Sequence, residues 1–337
     1  MNARSLALTV LLAAGAISLA PSPVHADARR PGLCATVDSK QSAPPYLAVV
    51  SAYPAELAPI AAATEIDTTI QIASRTFYLG RLGGVSVMLG LTGIGILNAT
   101  NVTHALLARR DVAGLIMSGT AGTRHHIGDV VIASELVEPD RPEVFHPNPA
   151  LVALARQAAV ALPEPLARCT LVPPGSPTAQ EVCLLFDPVV IFGGRAVSFD
   201  PFGDTPPTCA PGGGDIFGCD LPAANGALLH PRTITTDDVE DMESAAVARV
   251  AADRRVPFLA VRAGSDGGGD PHGDRGFPAQ FFDYYRLAAH NAADVTRAVV
   301  LELGRLVRDR SAKRTCRLLA GRRWQRAAKR IDERRPG

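Results

Sequence analysis

Three short segments of this 337-residue chain place acids beside small residues at the ends of apolar runs. The first is Ser51-Ala-Tyr-Pro-Ala-Glu56, with a carboxylate just past a run of strand length. The second is Asp241-Met-Glu-Ser-Ala-Ala246, where Met242 and Glu243 stand at the start of a helical pattern. The third is Arg262-Ala-Gly-Ser265-Asp266, ahead of three glycines, where the acid ends a buried strand in flexible backbone. Carboxylates serve as general acids and bases when their surroundings separate their proton affinities. Taken singly, each has a plainer explanation: Glu in a first helical turn compensates the helix dipole, and Asp after a strand caps a turn. Together they share one kind of position, the carboxyl end of a strand or the start of a helix, where open α/β sheets bind ligands. One cleft could hold all three.

The elements that must position these acids read as alternating strands and helices. Tyr46 to Ala52 is a continuous apolar strand, and Pro54 to Ala63 begins with the proline that suits a first helical turn. Residues 77–93 hold two β-prone runs around Gly83-Gly84, a hairpin signal because both turn positions tolerate positive φ. Leu97 to Arg110 patterns as a short amphipathic helix, followed by a buried strand at Gly114–Ser118, the loop GTAGTRHHIGD and a strand at Val130–Ser134. Strand, helix and strand in succession imply parallel pairing through a right-handed crossover. Further on, Ser244 to Arg255 reads as a helix, Pro257 to Ala263 as a strand and Gln280 to Leu303 as a long helix. The stripe of Phe281, Tyr284, Ala288, Ala292, Val295 and Val299 along that helix reads as packing. From about residue 163 to 231 the texture turns rich in Pro, Gly and Cys, with one good strand at Pro188–Phe192, and reads as a disulfide-braced insertion.

Composition bounds the answer. With 47% hydrophobic and 20% charged residues the chain is globular, which excludes disordered, collagen-like and coiled-coil classes. The net charge of +1 hides two unlike parts: from Arg305 onward there are 13 Lys and Arg against 3 Asp and Glu, so the body is acidic and the tail basic. Arg322, Arg323, Arg326, Lys329 and Arg330 raise a nucleic-acid or anionic-membrane reading. Trp324 is the lone aromatic among them, so a solvated segment is favoured and no nucleic acid is expected.

Residues 1–26 pattern as a secretory signal peptide: Arg4, an apolar run from Leu6 to Ala20, and a small-x-small site at Val24-His25-Ala26. The run is shorter than the ~18 to 20 residues of a membrane anchor and ends at Pro21 and Pro23. The expectation is an exported chain, periplasmic or extracellular, cleaved near Ala26 and without a membrane span, with a polar lead-in over 27–45. Six cysteines, Cys34, Cys169, Cys183, Cys209, Cys219 and Cys316, then read as disulfides, Cys169 with Cys183 and Cys209 with Cys219 being the cheapest loops to close. Cys316 could tie the tail to the body through Cys34. Metal binding is the weaker reading, because no Cys-x-x-Cys or His/Cys cluster occurs, and no metal or cofactor is expected.

The strings FYLGRLGGVSVMLGLTGIGILNAT, MSGTAG with IGDVVIASELV, and DMESAAVARVAADRRVPFLAVRAGSD resemble the nucleoside phosphorylase and nucleosidase superfamily. The resemblance is closest to 5′-methylthioadenosine/S-adenosylhomocysteine nucleosidases and their secreted relatives, and covers residues 46–140 and 236–304. It implies one α/β domain over 46–304, with a central mixed, partly barrel-like sheet surrounded by helices and a basic tail over 305–337. It also implies a homodimer and cleavage of a purine N-glycosidic bond. By the same resemblance, Glu56 activates water, Met242 and Glu243 hold the ribose, and Asp266 beside Ser265 protonates the departing base. The turn Gly119, Thr120, Ala121 and Gly122 lines the ribose and water side. Cleavage leaves an oxocarbenium-like sugar and a poor anionic leaving group, so an acid at the base and negative charge at the sugar are what the reaction needs.

Phosphorylases of the superfamily hold phosphate with arginines where this chain has Met117 and the segment Tyr53 to Glu56. A carboxylate repels phosphate, so water is the expected nucleophile. Arg124, His125 and His126 follow the turn and read as surface residues. The nucleosidases supply an aromatic to stack on the purine from the region that the Cys-rich insertion replaces here, and Phe192 and Phe199 are the candidates for it. Two rivals to hydrolysis stand: a phosphate-dependent purine nucleoside phosphorylase, and a secreted nucleoside-binding or storage protein without catalysis.

Overall fold

The computed structural model describes residues 45–109, 111–202, 205, 207–221, 237–274 and 276–308. Residues 1–26, the lead-in up to residue 44, Cys34, Cys316 and the basic tail beyond Arg308 lie outside them.

The chain opens with β1 (Tyr46–Ser51), α1 (Pro54–Ala62), β2 (Glu65–Ile72), β3 (Arg75–Leu82) and β4 (Val85–Leu91). Gly83 and Gly84 turn β3 into β4 with φ of 58° and 83°, as the hairpin reading requires. The strand β2 was not legible: it carries the polar run EIDTTIQI, largely exposed at the sheet edge. Next come α2 (Ile96–Leu107), β5 (Val112–His126), β6 (Val130–Ile132), β7 (Glu135–Val137), β8 (Val144–Phe145) and α3 (Pro149–Val160). The segment read as a loop after Ser118 is instead the second half of β5, so Gly119 to Gly122 is extended strand, not a turn.

The Pro/Gly-rich stretch holds more order than its composition implied. It contains β9 (Cys169–Val172), β10 (Gln180–Cys183), β11 (Val190–Phe192), β12 (Arg195–Ser198) and α4 (Gly214–Phe217). Of these, β9 and β10 form a separate two-stranded ladder closed by the Cys169–Cys183 disulfide. The strands β11 and β12 join the main sheet, so only parts of 163–231 stand outside it. The chain continues through β13 (Val239–Asp241), α5 (Ser244–Asp253), β14 (Phe258–Gly268) and α6 (Ala279–Arg308). Since β14 runs to Gly268, Ser265 and Asp266 lie within a strand rather than past its end.

The main sheet has twelve strands in the order β2-β3-β4-β1-β5-β13-β12-β7-β8, with β14 on β5 and β6, and β6 also on β11. It is mixed: β1 runs parallel to β4 and β5, β14 is parallel to β5, and β2, β3 and β4 form an antiparallel meander. Parallel β4 and β5 flank β1, so the crossover through α2 skips over that strand. Helices cover both faces. Along β1, Leu47 and Val49 pack with Leu57, Ile60, Val295 and Val299, while Ala48 and Val50 pack with Val102, Leu106 and Val247. Alternate burial on a two-sided sheet explains why the central strands read as unbroken apolar runs.

The site follows from one irregularity. On one edge, β5 pairs with β1 as far as Met117 and with β13 only at Gly122. Between them, residues 118–121 present a strand edge free of a neighbouring strand on that side.

Candidate active site

The Glu56 side chain is folded inward. It sits in the first turn of α1, where dipole compensation alone would leave it at the surface, yet it is 1% exposed. Its Oε2 accepts the Ala52 N–H at 2.7 Å, and its Oε1 accepts the Thr120 N–H at 2.7 Å and the Thr120 hydroxyl at 3.1 Å. The open edge of β5 thus receives the carboxylate. Gly119 permits the approach: a Cβ there would fall 2.4 Å from Glu56 Oε1 and 2.5 Å from an Arg262 guanidinium nitrogen. Tyr53, also buried, places its hydroxyl 2.7 Å from Thr120 Oγ1, completing a chain from phenol through threonine to Glu56.

Glu243 precedes α5. Its Oε1 accepts the Gly95 N–H at 2.9 Å, and its Oε2 accepts from Arg262 at 2.9 Å. Asp241, at the end of β13, orders this helix start by accepting the Glu243 and Ser244 N–H groups at 3.1 and 3.0 Å and the Ser198 hydroxyl at 2.5 Å. Arg262, 2% exposed on β14, lies among three carboxylates. Its Nη2 meets Glu243 at 2.9 Å, its Nη1 is 3.6 Å from Glu56, and its Nε is 2.9 Å from Asp241 Oδ2. The Nε–H itself points to Ser244 Oγ at 2.9 Å, which leaves Asp241 Oδ2 in ionic contact without an aligned proton.

One cation cannot neutralise three buried acids. Burial raises the Glu56 carboxyl against the pull of Arg262 and of the Thr120 and Ala52 donors. Glu243 is pushed up to about 8 by burial, with Asp241 and Glu56 adding to it and Arg262 opposing. The guanidinium is held well above its usual range because its three acids outweigh its own burial.

Asp266 adjoins this cluster through β5. Its Oδ1 accepts the Ser265 hydroxyl at 2.9 Å, and a Cβ on Gly122 would fall 3.0 Å from its Oδ2. Ser265 also donates to the Ala121 carbonyl at 3.2 Å. Burial pushes the Asp266 carboxyl up to about 6, against the Ser265 hydrogen bond and with Glu240 adding to it. Thr120, which anchors Glu56, and Gly122, which abuts Asp266, are two residues apart on one strand, about 7 Å on the same face.

The fold therefore gathers Glu56, Glu243, Ser265, Asp266 and the segment Gly119, Thr120, Ala121 and Gly122. Met242, half-buried, follows Asp241 directly. Arg262, Asp241 and Tyr53 were not read as site residues. Arg262 had a signal: a charged residue inside the buried run FLAVRAG requires partners. Arg124 and His125 bind Asp238 at 2.7 and 3.1 Å, and His126 stacks on Phe186, so none of the three reaches Glu56. Of the two aromatic candidates, Phe192 lies under the Arg156 guanidinium at 4.3 Å. Phe199 follows β12 and bonds through its N–H to Asp241, beside Met242.

The pattern of the phosphorylase superfamily matches residues 46–301, and the chain belongs to that superfamily. It is 31% identical over 237 residues to an uncharacterised protein of Mycobacterium tuberculosis, spanning 66% of this chain and 90% of that one. To the 5′-methylthioadenosine/S-adenosylhomocysteine nucleosidase of Shewanella sediminis it is 26% identical over 275 residues, spanning 76% and 99%. Among solved structures, the nucleosidase of the same name from Colwellia psychrerythraea, in complex with adenine, matches with a TM-score of 0.54 at 22% identity, over 77% of this chain and 96% of that one. The futalosine hydrolase of Helicobacter pylori matches with a TM-score of 0.52 at 18% identity, over 76% and 97%. At these identities the structural likeness concerns the fold: a large mixed sheet flanked by helices, without a closed barrel.

Proposed function

We propose that this protein hydrolyses the N-glycosidic bond of a purine nucleoside or a 5′-substituted adenosine, releasing free base and sugar. One observation carries the reading: two acids of different character, Glu56 and Asp266, are brought to Thr120 and Gly122 of a single strand, with Glu243 and Arg262 beside them. The nucleosidases among the relatives of this chain agree with it. Asp266, its pKa raised by burial, passes a proton to the purine ring as the bond from C1′ to nitrogen breaks. Water adds to C1′ and yields its proton to ionised Glu56, and the base leaves neutral because it carries the proton from Asp266. Glu243 accepts ribose hydroxyl hydrogen bonds, and in its ionised form, which Arg262 favours against burial, it opposes the positive charge that grows on the sugar. Met242, Ser265 and the segment Gly119 to Gly122 line the site. Water is favoured over phosphate because Glu56 occupies the side from which the nucleophile comes and repels an anion.

The two disulfides support an exported protein, since such bonds persist in oxidising compartments. Among the described residues, no helix is long and apolar enough to cross a membrane.

The test is release of free base from adenosine, inosine and methylthioadenosine by the purified protein, with and without phosphate. Release without phosphate is expected. Release only with phosphate makes the protein a phosphorylase, and binding without release under either condition makes it a nucleoside-binding protein.

A further inference from the structure

Arg75, the first residue of β3, stands apart from the ion pairs described above. Among the described residues no hydrogen bond or ion pair holds its guanidinium, and Asp220 attracts it only through space. Burial lowers its pKa, so the charge is partly stripped of water without a fixed partner. The side chain lies along Gly93, where a Cβ would fall 2.5 Å from a guanidinium nitrogen. It lines a cavity with Ala52, Gly93, Thr208, Ile216 and Phe217.

This cavity touches the backbone that holds both site glutamates: the Ala52 N–H binds Glu56, and two residues past Gly93 the Gly95 N–H binds Glu243. Strand order gives its direction. Arg75, Gly93 and Ala52 belong to β3 or to the ends of β4 and β1, whereas Asp266 lies across β5 on β14. The cavity and Asp266 thus flank the carboxylate cluster from opposite sides. With the base at Asp266 and the sugar over Glu243, as the proposed function has them, strand order puts Arg75 on the side away from the base.

We propose that Arg75 recognises an oxyanion, a phosphate or carboxylate, carried on the 5′ end of the substrate's sugar. The proposal rests on the nucleosidase reading above. A guanidinium presents paired donors that match such a group, and Thr208 adds a hydroxyl. A neutral nucleoside would leave the cation without a function, whereas an anionic substrate entering beside Glu56 and Glu243 needs a compensating charge. The cavity volume of about 10 Å³ is close to that of a single water site. Admission of an oxyanion therefore requires the segment 207–218 to shift. That segment is cross-linked by Cys209–Cys219 and held by Asn98 to the Pro207 carbonyl and by Tyr285 to Asp215, so its cross-linked part moves as one piece.

The experiment compares adenine release from adenosine, adenosine 5′-monophosphate and adenosine 5′-carboxylate by the full protein, Arg75→Ala and Arg75→Lys, with and without inorganic phosphate. The wild type is expected to prefer at least one anionic substrate by about tenfold or more in kcat/KM, and which one distinguishes phosphate from carboxylate. Arg75→Ala is expected to erase that preference, chiefly through KM, and Arg75→Lys to restore part of it. Equal use of all three substrates, or equal losses on all three in Arg75→Ala, overturns the proposal and leaves the nucleosidase reading intact. Release that depends on inorganic phosphate overturns it in favour of a free-phosphate site. If no substrate is cleaved, the nucleosidase reading fails and calorimetry decides the anion site: Arg75-dependent binding of the monophosphate retains it, and its absence discards it.

Discussion

At the scale of single residues, the site is a problem of too much negative charge for its one buried cation. Arg262 compensates Glu56, Asp241 and Glu243 only in part, so the protonation of this group is coupled to pH. Asp266 stands apart, and its raised pKa yields two predictions of definite sign. In the proposed role of proton donor it must be protonated, so kcat/KM should fall as pH rises through about 6. A carboxyl raised from 3.8 to about 6 on folding binds more protons in the folded state, so its ionisation weakens the fold as pH rises across that window. Asp266→Asn should therefore abolish turnover while retaining nucleoside binding. It should also melt at a higher temperature than wild type at pH 7.5, with the difference gone below the lower of those two values. Undiminished turnover would refute the acid role, and a melting difference independent of pH would refute the linkage. Gly119→Ala places a methyl group against Glu56 and Arg262. It should cost roughly 1 to 3 kcal/mol, read by denaturant unfolding, and activity should fall with it.

Elements show how far local pattern reaches. The strand β1, the turn at Gly83-Gly84, the helices α1, α2 and α5 and the stripe of α6 were legible because each satisfies its own periodicity or turn chemistry. The second half of β5 was not. Its GTAGTRHH is small and polar, and it is extended because β14 pairs along it from Gly119 to His126. The same pairing draws Ser265 and Asp266 into a strand. In the Cys-rich stretch, β11 falls within the strand read at Pro188–Phe192, whereas β12 was concealed by flanking Gly and Pro and is defined by its long-range partners β7 and β13. The two short disulfide loops were legible from spacing and occur as read. Replacing Cys209 and Cys219 together by Ser should lower stability by roughly 2 to 4 kcal/mol, as expected for short closed loops, with a lower melting temperature as the readout. An unchanged melting temperature would show that the loop is held by its other contacts, among them the ion pair of Asp215 with Arg286.

At the scale of the whole molecule, an acidic body and a basic tail cancel to a net charge of +1. Expression in a secreting host should yield protein whose first residue lies near Asp27, checked by N-terminal sequencing. Retention of Met1 or residence in the cytoplasm would reject the export reading. The sequence by itself determined the family and most of the alternating elements, and it offered Glu56, Glu243 and Asp266 as candidates, because these depend on residue type and near-neighbour spacing. Only the tertiary structure decided that Glu56 turns inward and that Arg262 is shared among three carboxylates. It also set Asp266 beside Gly122 and, among the described residues, left the Arg75 guanidinium without a hydrogen bond or ion pair. Each of these depends on which distant backbone group or side chain lies opposite, which strand pairing sets and local sequence does not.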